Sequence, residues 1–203
     1  MNIVTLLNII ELMMCNACEI DTLDLSGCNI DIIISSIESV FTALIYNRTV
    51  KTCSFSGIFM PVGWVYTLAK CLSSDSCCIE SLVLKNCGIT DKGLESMIAA
   101  MCSVNESKIR SIDLTGNTLL TNDSVIHMLE FIESRNQVYH INLDGCTGID
   151  SETKTKFNKV LRPRILNEYN SIAMSISNKM GLLINYINQR NSVNVAFEFR
   201  DSS

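Results

Sequence analysis

The stretch LVLKNCGITDKGLESMIAAMC, Leu82–Cys102, changes its apolar spacing part-way along. Its first residues alternate between apolar and variable side chains, which is the period of a β-strand. After Thr90, a residue type suited to an N-cap, apolar residues follow at the spacing of one helical face. These are Leu94, Met97, Ile98 and Met101. The stretch therefore predicts a strand, a turn around Cys87 and a helix.

The same pattern recurs along the chain at a nearly constant period. Five segments of nine residues align. Their first, fourth and sixth positions are mostly apolar, and their second, third, fifth, seventh and eighth positions are variable. They start at Ile20, Val50, Ile79, Ile109 and Val138. Successive starts are separated by 30, 29, 30 and 29 residues. Such regular spacing predicts an array of strand–helix units that stack on their neighbours.

The residues at fixed positions of these segments match a known pattern. The ninth positions are Cys28, Ile58, Cys87, Asn117 and Cys146. With apolar fourth and sixth positions, the segments resemble the leucine-rich repeat, LxxLxLxx(N/C)xL, over about residues 20–161. Cysteine-containing repeats of F-box proteins look similar but are shorter. Repeats of 29 or 30 residues are similar to the ribonuclease-inhibitor-like subfamily, which has room for a full α-helix after each strand.

This resemblance implies an α/β fold, a right-handed leucine-rich-repeat solenoid with a curved parallel β-sheet inside and α-helices outside. Strands pack closer together than helices do, which is why the sheet is expected on the concave side. We expect the array over residues 1–163, as an N-terminal half-repeat helix followed by about five strand–helix repeats. The second repeat has Cys53, Phe55 and Ile58 at its motif positions, so its strand is expected to be less regular.

The N-terminal segment is apolar, with Ile3, Leu6, Leu7, Ile10 and Met14 at helical spacing. We interpret it as an amphipathic helix; a signal peptide or anchor is the alternative, although no Lys or Arg stands at its start. The chain has no apolar run long enough for a membrane span, and its net charge is −5. We therefore expect neither membrane nor nucleic acid as a partner, and a cytoplasmic location that keeps the ten cysteines reduced.

A different spacing begins after the fifth repeat. Apolar residues recur at intervals of 4, 3, 4, 4, 3 and 4, at Ile165, Tyr169, Ile172, Ile176, Met180, Leu183 and Ile187. The spacing predicts a long amphipathic helix over about residues 164–189, with a possible bend at Gly181. We expect residues 164–203 to cap the array; a helix for dimerisation or partner binding is the alternative. Residues 193–199 alternate like an edge strand, and two degenerate repeats are a further alternative for the region.

The cysteines of the ninth position are predicted to fill the turn and to bond backbone groups weakly. A catalytic thiol needs a neighbouring base, and the repeat register places neither His127 nor His140 beside one of them. Asp24 and Asp113 share the fifth repeat position but are three repeats apart, too far for paired acid–base work. We therefore predict no catalytic residue, no cofactor and no enzymatic activity.

Other cysteines leave a redox-active or metal-responsive protein as an alternative. Cys15 and Cys18 form a CxxC pair without a second such pair, and Cys77 is followed directly by Cys78. Cys71 and Cys102 lie about one repeat apart, near equivalent helix ends, so they are candidates to approach one another. Since no set has the spacing of a zinc site, we predict no metal.

The resemblance implies that the variable positions of the strands point to the concave face, and we expect a partner to bind there. Interface hot spots are rich in Tyr and Arg, which favours the C-terminal part of the sheet. The predicted partner-binding residues are Arg110, Tyr139, His140, Asp113, Asn142, Glu80 and Lys85. We thus expect a non-catalytic protein-interaction module or scaffold whose partner is another protein. The layout also resembles the C-terminal domain of tropomodulins, which implies an actin-associated structural protein as the alternative.

Overall fold

The computed structural model of the protein describes residues 3–17, 19–104, 107–135 and 137–198, and for residues 30, 181 and 183–198 it describes the backbone alone. In this part of the chain five strands alternate with six helices. The strands are β1 (Thr22–Asp24), β2 (Thr52–Ser54), β3 (Ser81–Val83), β4 (Ser111–Asp113) and β5 (His140–Asn142). The helices are α1 (Ile3–Met14), α2 (Ile30–Tyr46), α3 (Val62–Leu72), α4 (Asp91–Ser103), α5 (Asn122–Ser134) and α6 (Ser151–Glu198). Met1–Arg162 and Pro163–Ser203 form two compact units.

The strands form one parallel sheet in chain order, from β1 to β5. Its register pairs equivalent repeat positions, so that Leu23, Cys53, Leu82, Ile112 and Ile141 lie side by side. Parallel neighbours joined by helical connections are what a stack of strand–helix repeats requires. The predicted α/β solenoid is therefore confirmed. The second strand pairs with both neighbours as regularly as the others do, so the expectation of a less regular β2 was wrong.

The core of the first unit lies between one face of this sheet and the helices. All fourth-position residues are at most 5% exposed, and the sixth-position residues are buried with them. The stripe predicted for α4 is buried in full. In α1, by contrast, the buried residues are Leu6, Ile10 and Met13, whereas the predicted Leu7 and Met14 are exposed. A helix on one side of a sheet buries a narrower face than its apolar residues span.

The turn after each strand depends on a backbone conformation that the apolar pattern does not reveal. The eighth repeat position has a positive φ in every repeat, in Gly27, Gly57, Asn86, Gly116 and Gly145. Glycine adopts this left-handed region without steric cost, and Asn tolerates it better than most residues. The eighth position, treated above as variable, is therefore restricted to Gly or Asn by the turn.

In the third, fourth and fifth repeats the side chain at the ninth position connects the turn to the preceding repeat. Asn117 is fully buried, and its amide nitrogen donates to the carbonyl oxygens of Leu84 at 2.7 Å and Leu114 at 2.8 Å. Its side-chain oxygen accepts from the backbone N–H groups of Cys87 at 3.1 Å and Ile89 at 2.9 Å. One side chain thus makes hydrogen bonds to four backbone groups at the turns of two neighbouring repeats.

Cysteines at the ninth position make the weaker form of the same contact. The Cys87 thiol donates to the carbonyl oxygen of Phe55 at 3.1 Å, and the Cys146 thiol donates to that of Leu114 at 3.2 Å. These acceptors hold the sixth position of the preceding repeat, as Leu84 does for Asn117. Burial raises the pKa of Cys87 to about 11, so its reactive thiolate is scarce at neutral pH. The predicted packing role of these cysteines is confirmed for Cys87 and Cys146.

The last helix differs from the prediction at both ends. Asp150 accepts from the backbone N–H of Thr153 at 2.7 Å and begins the helix at Ser151, well before the predicted Arg164. Pro163 lies inside the helix, where its missing N–H removes one hydrogen bond without ending the element. Residues 193–198 continue the helix, so the predicted strand is wrong there; Phe199 lies outside the described residues. Residues 164–198 are helical throughout, which also excludes two degenerate repeats.

Replacing Asn117 tests the role of the ninth position. Asn117→Ala leaves two N–H groups and two carbonyl oxygens without their side-chain partner, so we expect the free energy of unfolding to fall by about 3 kcal/mol. Asn117→Cys restores a thiol donor, as in Cys87 and Cys146, and should recover about 1 kcal/mol of that loss. Urea unfolding followed by circular dichroism measures both. Equal losses of unfolding free energy for the two variants would show that a cysteine thiol at this position contributes no stabilising hydrogen bond.

Two alanine substitutions test the eighth position. Gly57 has a φ of +77° and no atom within 4 Å of an added Cβ, so Gly57→Ala should cost about 1 kcal/mol from backbone strain alone. At Gly145 the added Cβ would also lie 3.3 Å from the backbone of Gly116, so Gly145→Ala should cost roughly 1 kcal/mol more. Urea unfolding compares the two variants. A smaller loss for Gly145→Ala than for Gly57→Ala would be the contrary result.

Candidate protein-interaction face

The third and fifth repeat positions flank the buried fourth residue in every strand and are exposed or half-buried. They therefore project from the side of the sheet that faces away from the core. We call the surface made by the second, third, fifth and seventh positions of the five repeats the strand face. Its predicted orientation follows directly from the two-residue period of a strand.

A groove of about 360 Å³ crosses the strand face along the second and third positions. It is lined by Asp21, Thr22, Lys51, Thr52, Glu80, Ser81, Arg110, Ser111 and Tyr139. Backbone hydrogen bonds hold this row together, since the N–H of each second-position residue from Lys51 onward donates to the carbonyl of the preceding one. The row therefore presents one acidic, basic or aromatic side chain per strand, at the spacing of the sheet.

Charges alternate along this row and pair with their neighbours. The Glu80 carboxylate lies 4.0 Å from the Lys51 ammonium and 3.4 Å from Nε of Arg110. The side chain of Arg110 is 45% exposed and that of Lys51 is 61% exposed, so water screens both contacts. Exposed ion pairs of this kind contribute little to stability. Lys51 and Arg110 can therefore leave Glu80 and pair with an acidic group of a binding partner.

A second ion pair lies at the other end of the strands. The Lys85 ammonium is 3.1 Å from the Asp113 carboxylate, which also accepts from the N–H of Thr115 at 3.0 Å and from its hydroxyl at 2.6 Å. Burial alone would raise the pKa of Asp113, but the hydrogen bonds from Thr115 and Lys85 outweigh it and lower the pKa below its ordinary value. Asp113 is therefore held ionised by contacts that are partly structural.

The fifth position has a local role that the sequence prediction missed. Its side-chain oxygen accepts from the backbone N–H of the seventh position, in Asp24 to Ser26 at 2.9 Å and in Asn142 to Asp144 at 3.0 Å. Ser54 does the same at 3.5 Å. Asp, Asn and Ser favour such local bonds at the ends of strands. The signal was present in the sequence as short polar residues at the fifth position of four repeats.

The structure brings some of the predicted binding residues together and separates others. Glu80, Arg110 and Tyr139 line the groove, whereas Lys85 and Asp113 form the separate ion pair beyond it. His140 and Asn142 lie in β5, which is the last strand of the sheet. His140 pairs in register with Ser111. The predicted set thus divides into three parts: the groove residues, the ion pair of Lys85 with Asp113, and two residues of the last strand.

Three cysteines outside the ninth position, Cys53, Cys71 and Cys77, are buried. The Cys71 thiol bonds to the Cys77 thiol, and this hydrogen bond lowers the pKa of Cys77. Burial raises the pKa of Cys53, which lies near Cys77. Cys102 instead lies 3.7 Å from the hydroxyl of Ser134. All nine cysteines that the structure describes are free thiols, and Cys18 of the CxxC pair lies outside the described residues.

Within the described ranges, no three His, Cys, Asp or Glu side chains converge as ligands for a metal ion. His127 lies 3.8 Å from the Glu130 carboxylate, on α5, and not beside a cysteine of the ninth position. The thiols of Cys87 and Cys146 donate to backbone carbonyl oxygens. The described residues therefore offer surfaces for binding.

Comparison with known proteins agrees with the repeat geometry. The sequence model of the family described as Leucine Rich Repeat matches residues 19–40, the segment that contains β1. The chain is built from leucine-rich repeats. "NACHT, LRR and PYD domains-containing protein 5" of Mus musculus is 27% identical over 134 residues, which are 66% of this leucine-rich repeat protein and 11% of that relative. The chain thus spans about a tenth of the length of this relative.

Solved structures share the fold. "Leiomodin-1 Actin-Binding Site 2 (ABS2)" superposes with a TM-score of 0.63 at 14% identity, covering 82% of this leucine-rich repeat protein and 92% of that chain. The tropomodulin C-terminal domain of Caenorhabditis elegans superposes with a TM-score of 0.62 at 11% identity, covering 80% and 94%. The ribonuclease-inhibitor-like subfamily stays a prediction. Among the helices of the described residues, none has the length and apolar character needed to cross a membrane.

The ion pair of Asp113 predicts how stability depends on pH. Its folded-state pKa is lowered, so its contribution is present above the unfolded-state pKa of about 3.9 and is lost as pH falls through the folded-state pKa. Asp113→Asn keeps an acceptor for Thr115, as Asn142 does for Asp144, but loses the charge. We expect Asp113→Asn to be about 0.5–1 kcal/mol less stable than the wild type at pH 7, because Lys85 is partly screened.

The difference in unfolding free energy should narrow as pH falls below about 4, since the wild-type carboxylate then becomes protonated. Urea unfolding at a series of pH values measures it. A difference that stayed constant from neutral to acidic pH would show that the Asp113 charge does not contribute.

Proposed function

We propose that this leucine-rich repeat protein is a non-catalytic interaction module that binds a partner protein through the strand face. The observation that carries the proposal is the groove, which is lined by residues from every repeat and ends at Arg110 and Tyr139. A surface built from one residue per repeat is the kind of extended binding surface that solenoids provide. A cytoplasmic location, where thiols stay reduced, suits the free cysteines and belongs to the same proposal.

Arg110 and Tyr139 are the residues that we propose as the centre of the interface. Arg and Tyr dominate the energetics of protein interfaces because they combine a large contact area with hydrogen-bonding groups. Tyr139 follows Arg110 directly along the row, with its N–H donating to the carbonyl of Arg110 at 3.0 Å. The Glu80 carboxylate already pairs with the Arg110 guanidinium. A partner must therefore offer an acidic group that replaces the Glu80 carboxylate there, which restricts the proteins that can bind.

The remaining predicted residues form the proposed rim of the interface. His140 and Asn142 lie on the last strand, next to this centre in the sheet. Lys85 and Asp113 lie at the strand ends, where their ion pair is already formed. Charged residues at a rim affect the association rate and specificity more than affinity. We therefore expect the largest losses of binding at Arg110 and Tyr139.

Affinity capture from the native source, followed by titration of the captured partner, tests this placement. The double variant Arg110→Ala/Tyr139→Ala should weaken partner binding by about thirtyfold or more. The matched control is Tyr66→Ala/Lys70→Ala, which removes an exposed aromatic and an exposed cation from the outer helix α3. The control should bind as the wild type does. Equal binding by all three proteins would defeat the placement on the strand face.

An actin-associated structural role is the second candidate function. The printed names of the two solved neighbours refer to an actin-binding site and to tropomodulin, and both superpose over at least 80% of this chain. At 14% and 11% identity this likeness concerns the fold. Co-sedimentation with filamentous actin separates the candidates. Pelleting with actin that survives Arg110→Ala/Tyr139→Ala would favour this second role, and absence from the pellet would count against it.

A further inference from the structure

The second compact unit carries an exposed apolar stripe along α6. Tyr169 is 71% exposed, Ile172 is 51% exposed and Ile176 is 59% exposed, and Ile165 and Met180 are exposed on the same helix face. In water, a row of large apolar side chains along one helix face is a typical interaction surface. The stripe is what sets this helix apart from α2 to α5, whose apolar faces belong to the core of the first unit.

The stripe has a period of eleven residues. Its intervals of 4, 3 and 4 occur twice, from residue 165 to 176 and from 176 to 187. Eleven residues in three turns give about 3.67 residues per turn, close to the 3.6 of an α-helix. The stripe therefore runs almost parallel to the helix axis over about 34 Å, and a second helix can follow it along this length.

The charges beside the stripe indicate which helix fits. Between residues 165 and 187 the sequence has only two charged residues, Glu168 and Lys179. They are eleven residues apart and each directly precedes a stripe residue, Tyr169 or Met180. Glu168 and Lys179 therefore lie along the same edge of the stripe, three helical turns from each other.

An antiparallel second copy satisfies both the apolar and the charged residues. The two-fold axis of such a pair brings the same edge of the two stripes together. With this axis at residue 174, Ile172 lies level with Ile176 of the second copy. Tyr169 and Met180 of the second copy are offset by one residue, which is about 1.5 Å along the helix. Glu168 and Lys179 of the second copy are offset by the same amount, twice by symmetry, which long side chains can span. In a parallel pair, each edge meets the opposite edge, which has no charged residue.

We propose that the stripe of α6 docks a second copy of the chain, as an antiparallel two-helix pair with Glu168 opposite Lys179. The proposal concerns the second compact unit alone and does not depend on what the strand face binds. Burial of the stripe residues supplies the affinity, and the two charge pairs select the antiparallel register.

Sedimentation velocity of the full chain over a wide range of protein concentration tests the pairing. The wild type should show a monomer–dimer equilibrium. Ile172→Glu/Ile176→Glu places charges in the stripe and should raise the dimer dissociation constant by at least about a hundredfold. The matched control is Met174→Glu, since Met174 is 68% exposed on the opposite face of the same helix. It should dimerise as the wild type does.

Charge exchange tests the register. Glu168→Lys and Lys179→Glu each place like charges opposite one another at two symmetric contacts, so each should weaken the dimer about tenfold at low salt. The double variant Glu168→Lys/Lys179→Glu restores opposite charges and should dimerise as the wild type does. This recovery is specific to the antiparallel arrangement, because both charged residues must meet across the two-fold axis.

Several results would overturn the proposal. A wild-type chain that is monomeric at every concentration would show that the stripe does not dock a second copy. Dimers that persist in Ile172→Glu/Ile176→Glu would place the interface elsewhere. Failure of the double charge exchange to restore dimerisation would exclude the antiparallel register. Thermal unfolding of each variant, compared with the wild type, distinguishes these results from a loss of folding in the array.

Discussion

The hydrogen bonds of the ninth repeat position hold neighbouring turns together, and the stacking of the repeats depends on them. A turn at the end of a buried strand leaves backbone groups that neither sheet nor helix can satisfy. Asn117 satisfies four of them in two repeats, and Cys87 and Cys146 each donate to a carbonyl of the preceding repeat. Because these bonds run between repeats, they fix a common register for the turns of the second to fifth repeats, and strands of three residues are enough to build the sheet.

Much of this architecture could be predicted because periodic burial leaves a periodic sequence. The interval of 29 or 30 residues and the stripe of α4 follow from which side chains avoid water. The restriction at the eighth position did not follow, since a positive φ at Asn86 leaves no mark in an apolar pattern. The start of α6 was misplaced because the apolar spacing changes after the fifth repeat, whereas the cap at Asp150 and the helical hydrogen bonds decide it.

The strand face shows how structural duties restrict the residues available for recognition. Fifth-position side chains such as those of Asp113 and Asn142 already accept hydrogen bonds from backbone N–H groups. A partner that binds these side chains must break the hydrogen bonds of a local turn. Second-position side chains have no such duty to their own turn, and the pairs of Glu80 with its neighbours are exposed to solvent. The candidate site was predictable as a surface, but this division between its members required the hydrogen-bond geometry. It explains why Arg110 and Tyr139 are the better candidates for the centre of an interface.

Two surfaces on separate compact units have a consequence for affinity. A dimer that is paired through α6 has two strand faces, one from each chain. A partner with two or more copies of its binding site can then bind both strand faces. The second contact becomes intramolecular, and its effective concentration depends on how far apart the two strand faces can reach. Such avidity gives the dimer a high affinity for a multivalent partner. The affinity of one groove for one binding site can stay low, because the groove is polar and exposed and has only a few anchoring side chains. The polar lining of the groove and the apolar stripe of α6 are in this sense complementary, because the first supplies specificity and the second supplies valency.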